Sequence, residues 1–116
     1  MKLLLGLFLV SSLMVGQTRF VTLNWTASIT VGVVGYNIYR ADIVPPLAGQ
    51  TLVWNKINVT PIAAITYDDT AVVGQMIYFY KLTAVDGSGN ESVFSNQAEA
   101  VMNFSSATGR MTGIVK

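Results

Sequence analysis

The sequence predicts an all-β fold in which two antiparallel sheets pack face to face, and three observations carry that expectation. Apolar residues recur with period two, the spacing that sends alternate side chains to one face of a strand. Val, Ile and Thr, whose branched side chains suit a pleated surface, supply 32 of the last 100 residues. Turn signals separate the alternating runs at short, fairly regular intervals, and no window holds an apolar stripe of helical spacing longer than a turn.

The chain opens on a segment of different composition. Six of its ten Leu fall in Leu3 to Gly16, the uncharged stretch LLLGLFLVSSLMVG that follows Lys2. A basic start and an apolar run of this length fit a secretory signal peptide, and the run is shorter than the roughly 18 residues needed to span a bilayer. Gly16 suits the position before a cut, whereas Met14 is too large for the position two residues further back. Residues 1–17 are therefore expected to be either a cleaved signal or a retained N-terminal hydrophobic segment, with membrane contact only through that segment if it is uncleaved. No Cys follows it, which excludes a lipoprotein anchor.

Beyond the leader, Val21 to Trp25 alternates Val21, Leu23 and Trp25 against Thr22 and Asn24. In Tyr36 to Arg40, Tyr36 and Ile38 share a face. In Tyr78 to Ala84, one face holds Tyr78, Tyr80, Leu82 and Ala84, and the other Phe79, Lys81 and Thr83. Leu52 to Ile57, Ile62 to Tyr67 and Gln97 to Val101 are further expected strands. Gly32, Pro45-Pro46 with Gly49, Pro61, Gly74 and the run Asp86-Gly87-Ser88-Gly89-Asn90 supply the turns between them. Trp25, Leu23, Tyr36, Ile38, Tyr78, Tyr80 and Leu82 are the expected core.

The segments VTLNWTAS (Val21 to Ser28), GYNIYRA (Gly35 to Ala41), WNKIN (Trp54 to Asn58), TYDDTAV (Thr66 to Val72) and YFYKLTAVDGSGNESVFSN (Tyr78 to Asn96) together resemble a bacterial or phage-type fibronectin type III domain. The resemblance implies an immunoglobulin-like antiparallel β-sandwich over residues 20–101, followed by a C-terminal tail, 102–116. It also implies that Trp25 is the core Trp of the second strand, that Tyr36 and Ile38 are the core pair of the third, and that Tyr78 is a tyrosine-corner residue whose hydroxyl pins the crossover before it. If residues 1–17 are removed, little precedes Phe20. The first strand is then expected to be missing, or to come from the leader or a neighbouring chain, and an open edge of that kind is a template for strand addition.

Composition narrows the function. Without Cys or His, thiolate and imidazole metal sites, Cys nucleophiles and Ser-His-Asp triads are unavailable. Seven basic and six acidic residues, with no run of like charge, give no footprint for nucleic acid. Neither a cofactor nor a metal is expected. Asp86 to Asn90 spaces oxygen-bearing side chains as a calcium loop begins, but Gln97 at the twelfth position cannot give a bidentate carboxylate, so a hairpin loop is the expectation. Asp68-Asp69 is the only adjacent carboxylate pair, and neighbours on a strand point to opposite sides, which makes it a poor catalytic pair. No catalytic residue is expected.

The remaining candidates are aromatic. By parity Tyr39 and Phe79 point outward from adjacent strands, where they could meet a protein partner, stack on a sugar, or simply pair across the sheet; Trp54 and Phe94 carry the same alternatives. The expected function is a secreted, or surface and virion associated, module for protein or cell-surface binding and adhesion. The alternatives are a self-assembling subunit of a filament, capsid or tail, and a carbohydrate-binding accessory of a polysaccharide-degrading enzyme.

Overall fold

A computed structural model describes residues 7–15, 18–102 and 112–115, and of 7–15, 18 and 112–115 the backbone alone. Among the described residues eight strands follow one another: β1 (Leu7–Val15), β2 (Thr18–Trp25), β3 (Val33–Ile43), β4 (Asn55–Lys56), β5 (Thr66–Asp69), β6 (Met76–Asp86), β7 (Ala98–Met102) and β8 (Thr112–Val115). They form a three-stranded sheet, β1-β2-β5, and a five-stranded sheet, β4-β3-β6-β7-β8, and all their pairings are antiparallel. Among the described residues no helix is long and apolar enough to cross a membrane.

The leader and tail both take part in their own chain. Within the expected leader, Leu7–Val15 pairs with Thr18–Trp25 and stands where a first strand is required. The tail strand β8 adds to β7, with Ala98 opposite Val115 and Val101 opposite Thr112. The rest of the expected leader and tail, residues 1–6, 16–17, 103–111 and 116, lies outside the described residues.

Alternation decides which face each strand buries. Val21, Leu23 and Trp25 meet Tyr36, Ile38, Tyr78, Tyr80, Leu82 and Ala84 between the sheets, and Ala98, Ala100 and Met102 extend this core along β7. Leu23, Ile38, Tyr80 and Leu82 have no exposed surface at all. Each large apolar side chain buried in this way contributes about 1.5–3 kcal/mol. Trp25 meets Tyr36 edge-on, with ring centroids 5.5 Å apart. The Tyr78 hydroxyl accepts the Val73 N–H at 2.8 Å, which ties the turn before β6 to the start of that strand.

Two expected strands are shorter or displaced. Leu52 to Ile57 reduces to Asn55–Lys56; Ile57 still donates its N–H to the Ile38 carbonyl at 2.9 Å, and past it a side chain takes over, Asn58 Oδ1 accepting the Ile38 N–H at 2.7 Å. The Asn58 amide then donates to Asn37 Oδ1 and to the Thr60 carbonyl, both at 2.9 Å. Ile62 to Tyr67 is split between the sheets. Ile62 exchanges two backbone hydrogen bonds with Tyr36, at 2.8 and 2.9 Å, and the strand proper begins at Thr66 against β2. The crossover presses so closely on β3 that a Cβ at position 35 would lie 2.8 Å from that of Pro61, and glycine stands there.

Candidate aromatic surface

The two faces of the five-stranded sheet are written in neighbouring residues. Tyr39 lies directly opposite Lys81 on β6 and Lys56 on β4, all on the outer face, while Arg40 lies opposite Tyr80 on the inner face. Trp54 comes from the end of the β3–β4 loop. Phe94 comes from the connection between β6 and β7, and the reason it is thrown outward is local. Ser92 and Ser95 run beside β6, their hydroxyls accepting the Ala84 and Leu82 N–H groups at 2.8 and 2.9 Å. Their own N–H groups donate to the carbonyls of the same two residues. Ser92 is buried against the strand, and Val93 and Phe94 between the two serines are left exposed.

The Lys81 ammonium sits between two rings, 4.1 Å from the centroid of Trp54 and 3.8 Å from that of Phe94. Phe94 also meets Tyr39 nearly perpendicularly, with centroids 5.1 Å apart. The Tyr39 hydroxyl donates to Glu91 Oε1 at 2.7 Å, and the Thr83 hydroxyl donates to the same oxygen at 2.6 Å. Thus Tyr39, Trp54 and Phe94 come together, and the structure adds Lys81 and Glu91 to them. Lys81 shares the parity of Tyr39, but only the strand register shows that they face each other. Glu91 is placed by the tight Asp86 to Asn90 turn, which returns it opposite Val85.

Phe79 departs from its expectation. It is on the outer face, opposite Ala41 and Glu99, but it is only 5% exposed, and Ala41 and Ile43 beside it are buried as well. Parity gives the face of a sheet and not whether that face is covered, so Phe79 offers no ring to a ligand.

The electrostatics follow from this packing. Burial, then the Glu91 carboxylate, pushes the Tyr39 phenol up to about 12. Hydrogen bonds from Thr83, then from Tyr39, hold Glu91 below the usual carboxylate range. Burial lowers Lys81. An ammonium over an aromatic face is worth about 0.5–1 kcal/mol where solvent reaches it.

The other candidates have ordinary structural partners. Asp68 accepts the Thr22 hydroxyl at 2.7 Å on the outside of its sheet. Asp69 turns inward, is 3% exposed and binds Arg40 Nη1 through both oxygens, at 3.0 and 2.9 Å, together with the Tyr80 hydroxyl at 2.7 Å. The adjacent carboxylates thus face apart, and Asp69 is a buried ion-pair partner that also accepts the Ala71 N–H at 3.1 Å in the turn after β5. Asp86 accepts the Ser88 and Asn90 N–H groups at 2.9 Å and the Asn90 amide at 3.1 Å, while Gly89 takes a φ of +87°. The loop's own donors therefore occupy this carboxylate. Among the described residues no cluster of three or more Asp or Glu could hold a metal ion.

No protein-family model matches the chain. Its sequence is 43% identical over 86 residues to an amylopullulanase of Thermoanaerobacter thermohydrosulfuricus, which is 72% of this chain and 5% of that enzyme. The chain thus spans about a twentieth of the curated relative it matches. Its fold is similar to that of pectate lyase PelI from Erwinia chrysanthemi, with a TM-score of 0.57 at 17% identity, over 82% of this chain and 26% of that one. It is also similar to an Fn3-like protein from Clostridium thermocellum, with a TM-score of 0.56 and 27% identity over 77% of this chain and 82% of that one. With the two-sheet order, the buried Trp25, Tyr36 and Tyr78 and the hydroxyl-pinned turn before β6, that likeness establishes that the chain carries a fibronectin type III-like domain.

Proposed function

We propose that this chain is a non-catalytic interaction module that works outside the cell in company with an α-glucan-degrading enzyme. The observation that carries the reading is the match to one small segment of an amylopullulanase, an enzyme whose name points to amylose-type and pullulan polymers. A stretch amounting to 5% of a large hydrolase is the size of an accessory module rather than of a catalytic domain. The apolar leader that follows Lys2 agrees with export, and its pairing as β1 belongs to a chain that keeps it. The outward-facing group of Tyr39, Trp54 and Phe94 gives such a module a surface with which to make contacts.

Fractionation and sedimentation test this together. The purified full chain is expected to release no reducing sugar from starch or pullulan, and to sediment either with insoluble starch or with an amylopullulanase. In its native host it is expected in the culture medium or on the cell surface. Hydrolysis by the chain itself, retention in the cytoplasm, or binding to neither polymer nor enzyme would overturn the proposal.

A further inference from the structure

We propose that Tyr39, Trp54, Phe94 and Glu91 form a binding site for a neutral α-glucan chain, with Lys81 as an internal strut that holds the rings in place. This rests on the reading above and goes beyond it by assigning the contact to the polymer, and to one patch.

A pyranose has a C–H face that packs on an aromatic ring and a rim of hydroxyls that need hydrogen-bond partners. Trp54 and Phe94 come from different connections, one ahead of β4 and one between β6 and β7. The Lys81 ammonium, 4.1 and 3.8 Å from their centroids, fills the space between them and prevents one ring from collapsing on the other. Both rings keep exposed surface beside it, Trp54 being half-buried. Phe94 is 46% exposed even so packed, and the perpendicular Tyr39 ring limits its swing. Rings ordered before a ligand arrives lose less entropy on binding.

Glu91 supplies the polar rim. Its carboxylate stays ionised at neutral pH, accepts Thr83 and Tyr39 on Oε1 and a further hydrogen bond from Asn37, and an ionised carboxylate has about four acceptor positions in all. Sugar hydroxyls can donate to those that remain. Glu91 with Lys81 and Lys56 on the same face offers acceptors and donors of both signs, which suits the hydroxyl rim of a polyol, and the match to an amylopullulanase makes that polyol a neutral glucan.

The test uses the full chain and maltoheptaose, read by calorimetry and by tryptophan emission. Trp25 is 3% exposed in the core, so a ligand-dependent change of emission reports Trp54. Saturable binding with such a change is expected. Trp54→Ala and Phe94→Ala are each expected to weaken it roughly five- to tenfold. Ile29→Ala, at an 85% exposed site away from the patch, should leave it unchanged. Melting temperatures of the variants establish that they are folded; because Trp54 and Phe94 stand on separate connections, one remains informative if the other unfolds. If maltoheptaose binds wild type and both aromatic variants equally, the site assignment fails and the proposed function stands. If the chain binds an amylopullulanase but neither maltoheptaose nor starch, the inference fails alone. Binding to no enzyme and no glucan overturns both. Tighter binding to tetragalacturonate than to maltoheptaose, or to a peptide at the same rings, overturns the assignment of a neutral glucan.

Discussion

Residues 39 and 40 on β3, and 80 and 81 on β6, put two cation–aromatic arrangements back to back on one sheet, and they are built on opposite principles. On the inner face Arg40 lies 5.5 Å from the centroid of Tyr78 and is bound by Asp69, which also takes the Tyr80 hydroxyl. On the outer face Lys81 lies against Trp54 and Phe94, and the nearby carboxylate, Glu91, is engaged with two hydroxyls. The chemistry of the two residue types suits each place. A guanidinium is planar and more weakly hydrated, so it tolerates burial against a carboxylate and can bond it twice; an ammonium is a compact, strongly hydrated charge on a flexible stem, better kept where water reaches it. One arrangement ties the two sheets together, and the other shapes a surface. Substitutions should therefore separate stability from binding cleanly across a sheet one residue thick.

The largest effect is expected at Asp69. Its removal leaves Arg40 and the Tyr80 hydroxyl without their acceptor inside the sandwich, a loss that costs about 3–5 kcal/mol when both partners are fully buried. The Arg40 side chain retains 19% of its exposure, so Asp69→Ala is expected near the lower end, about 3 kcal/mol. For a domain of this size that lowers the melting temperature by roughly 12–20 °C. Replacing both partners by apolar residues, Arg40→Met with Asp69→Leu, should recover most of the loss, because no charge is then stranded. If Asp69→Ala melts within a few degrees of wild type, the inner arrangement is not what joins the sheets.

Asn58 comes next. Its carboxamide replaces a missing length of strand by serving the Ile38 N–H, Asn37 and the Thr60 carbonyl, and it is 6% exposed. Asn58→Ala leaves those groups unpaired and is expected to cost about 2 kcal/mol, measured by denaturant midpoint. Exchange of the Ile38 amide with solvent should accelerate along with it.

How much of this was legible beforehand depends on distance along the chain. Period-two alternation is local, so the inward residues of β2, β3 and β6 and the outward facing of Tyr39 could be read directly. The shared face of Tyr39 and Lys81 was equally legible, but that they meet depends on a register set by some forty residues of intervening chain. Asn58 shows the limit most clearly: a side chain standing in for backbone just past the end of the expected strand leaves no periodic trace. Phe79 shows another, since alternation cannot say what covers a face. The Arg40–Asp69 pair escaped because two charges on separate strands declare themselves only when the sheets are stacked.

The pH dependence of the outer face is the third expectation. The folded value of Glu91 lies below its unfolded one, so its stabilising contribution is full above the unfolded carboxylate range, about pH 4.3, and is lost as pH falls through the folded value. Asp86, lowered mainly by Asn90, acts in the same direction. The Tyr39 phenol is raised instead, so its share is complete below about pH 10 and disappears as pH climbs through about 12. Melting curves of wild type and Glu91→Gln should therefore differ most near neutrality and converge toward pH 3. A difference that grows on acidification would mean that Glu91 is not the group holding Tyr39.

The smallest stability change belongs to Lys81, and it is the sharpest test of the contrast. Lys81→Met keeps the length and apolar stem of the side chain and removes the charge, so the packing of the stem on the sheet survives while the attraction to both rings is lost. Each such contact is worth about 0.5–1 kcal/mol at a site open to water, and relief of the desolvated charge offsets part of it, so the melting temperature should move by only about 5 °C or less. The rings should respond far more than the stability does. With no ammonium between them, Trp54 and Phe94 are free to close on each other, which predicts a shift of Trp54 emission and new ring-current shifts on Phe94 and Tyr39, with resonances of Trp25, Tyr36 and Tyr80 unmoved. A large loss of stability, or perturbation spreading to those core rings, would show that the two faces are one mechanical unit and that Lys81 belongs to the fold rather than to the surface.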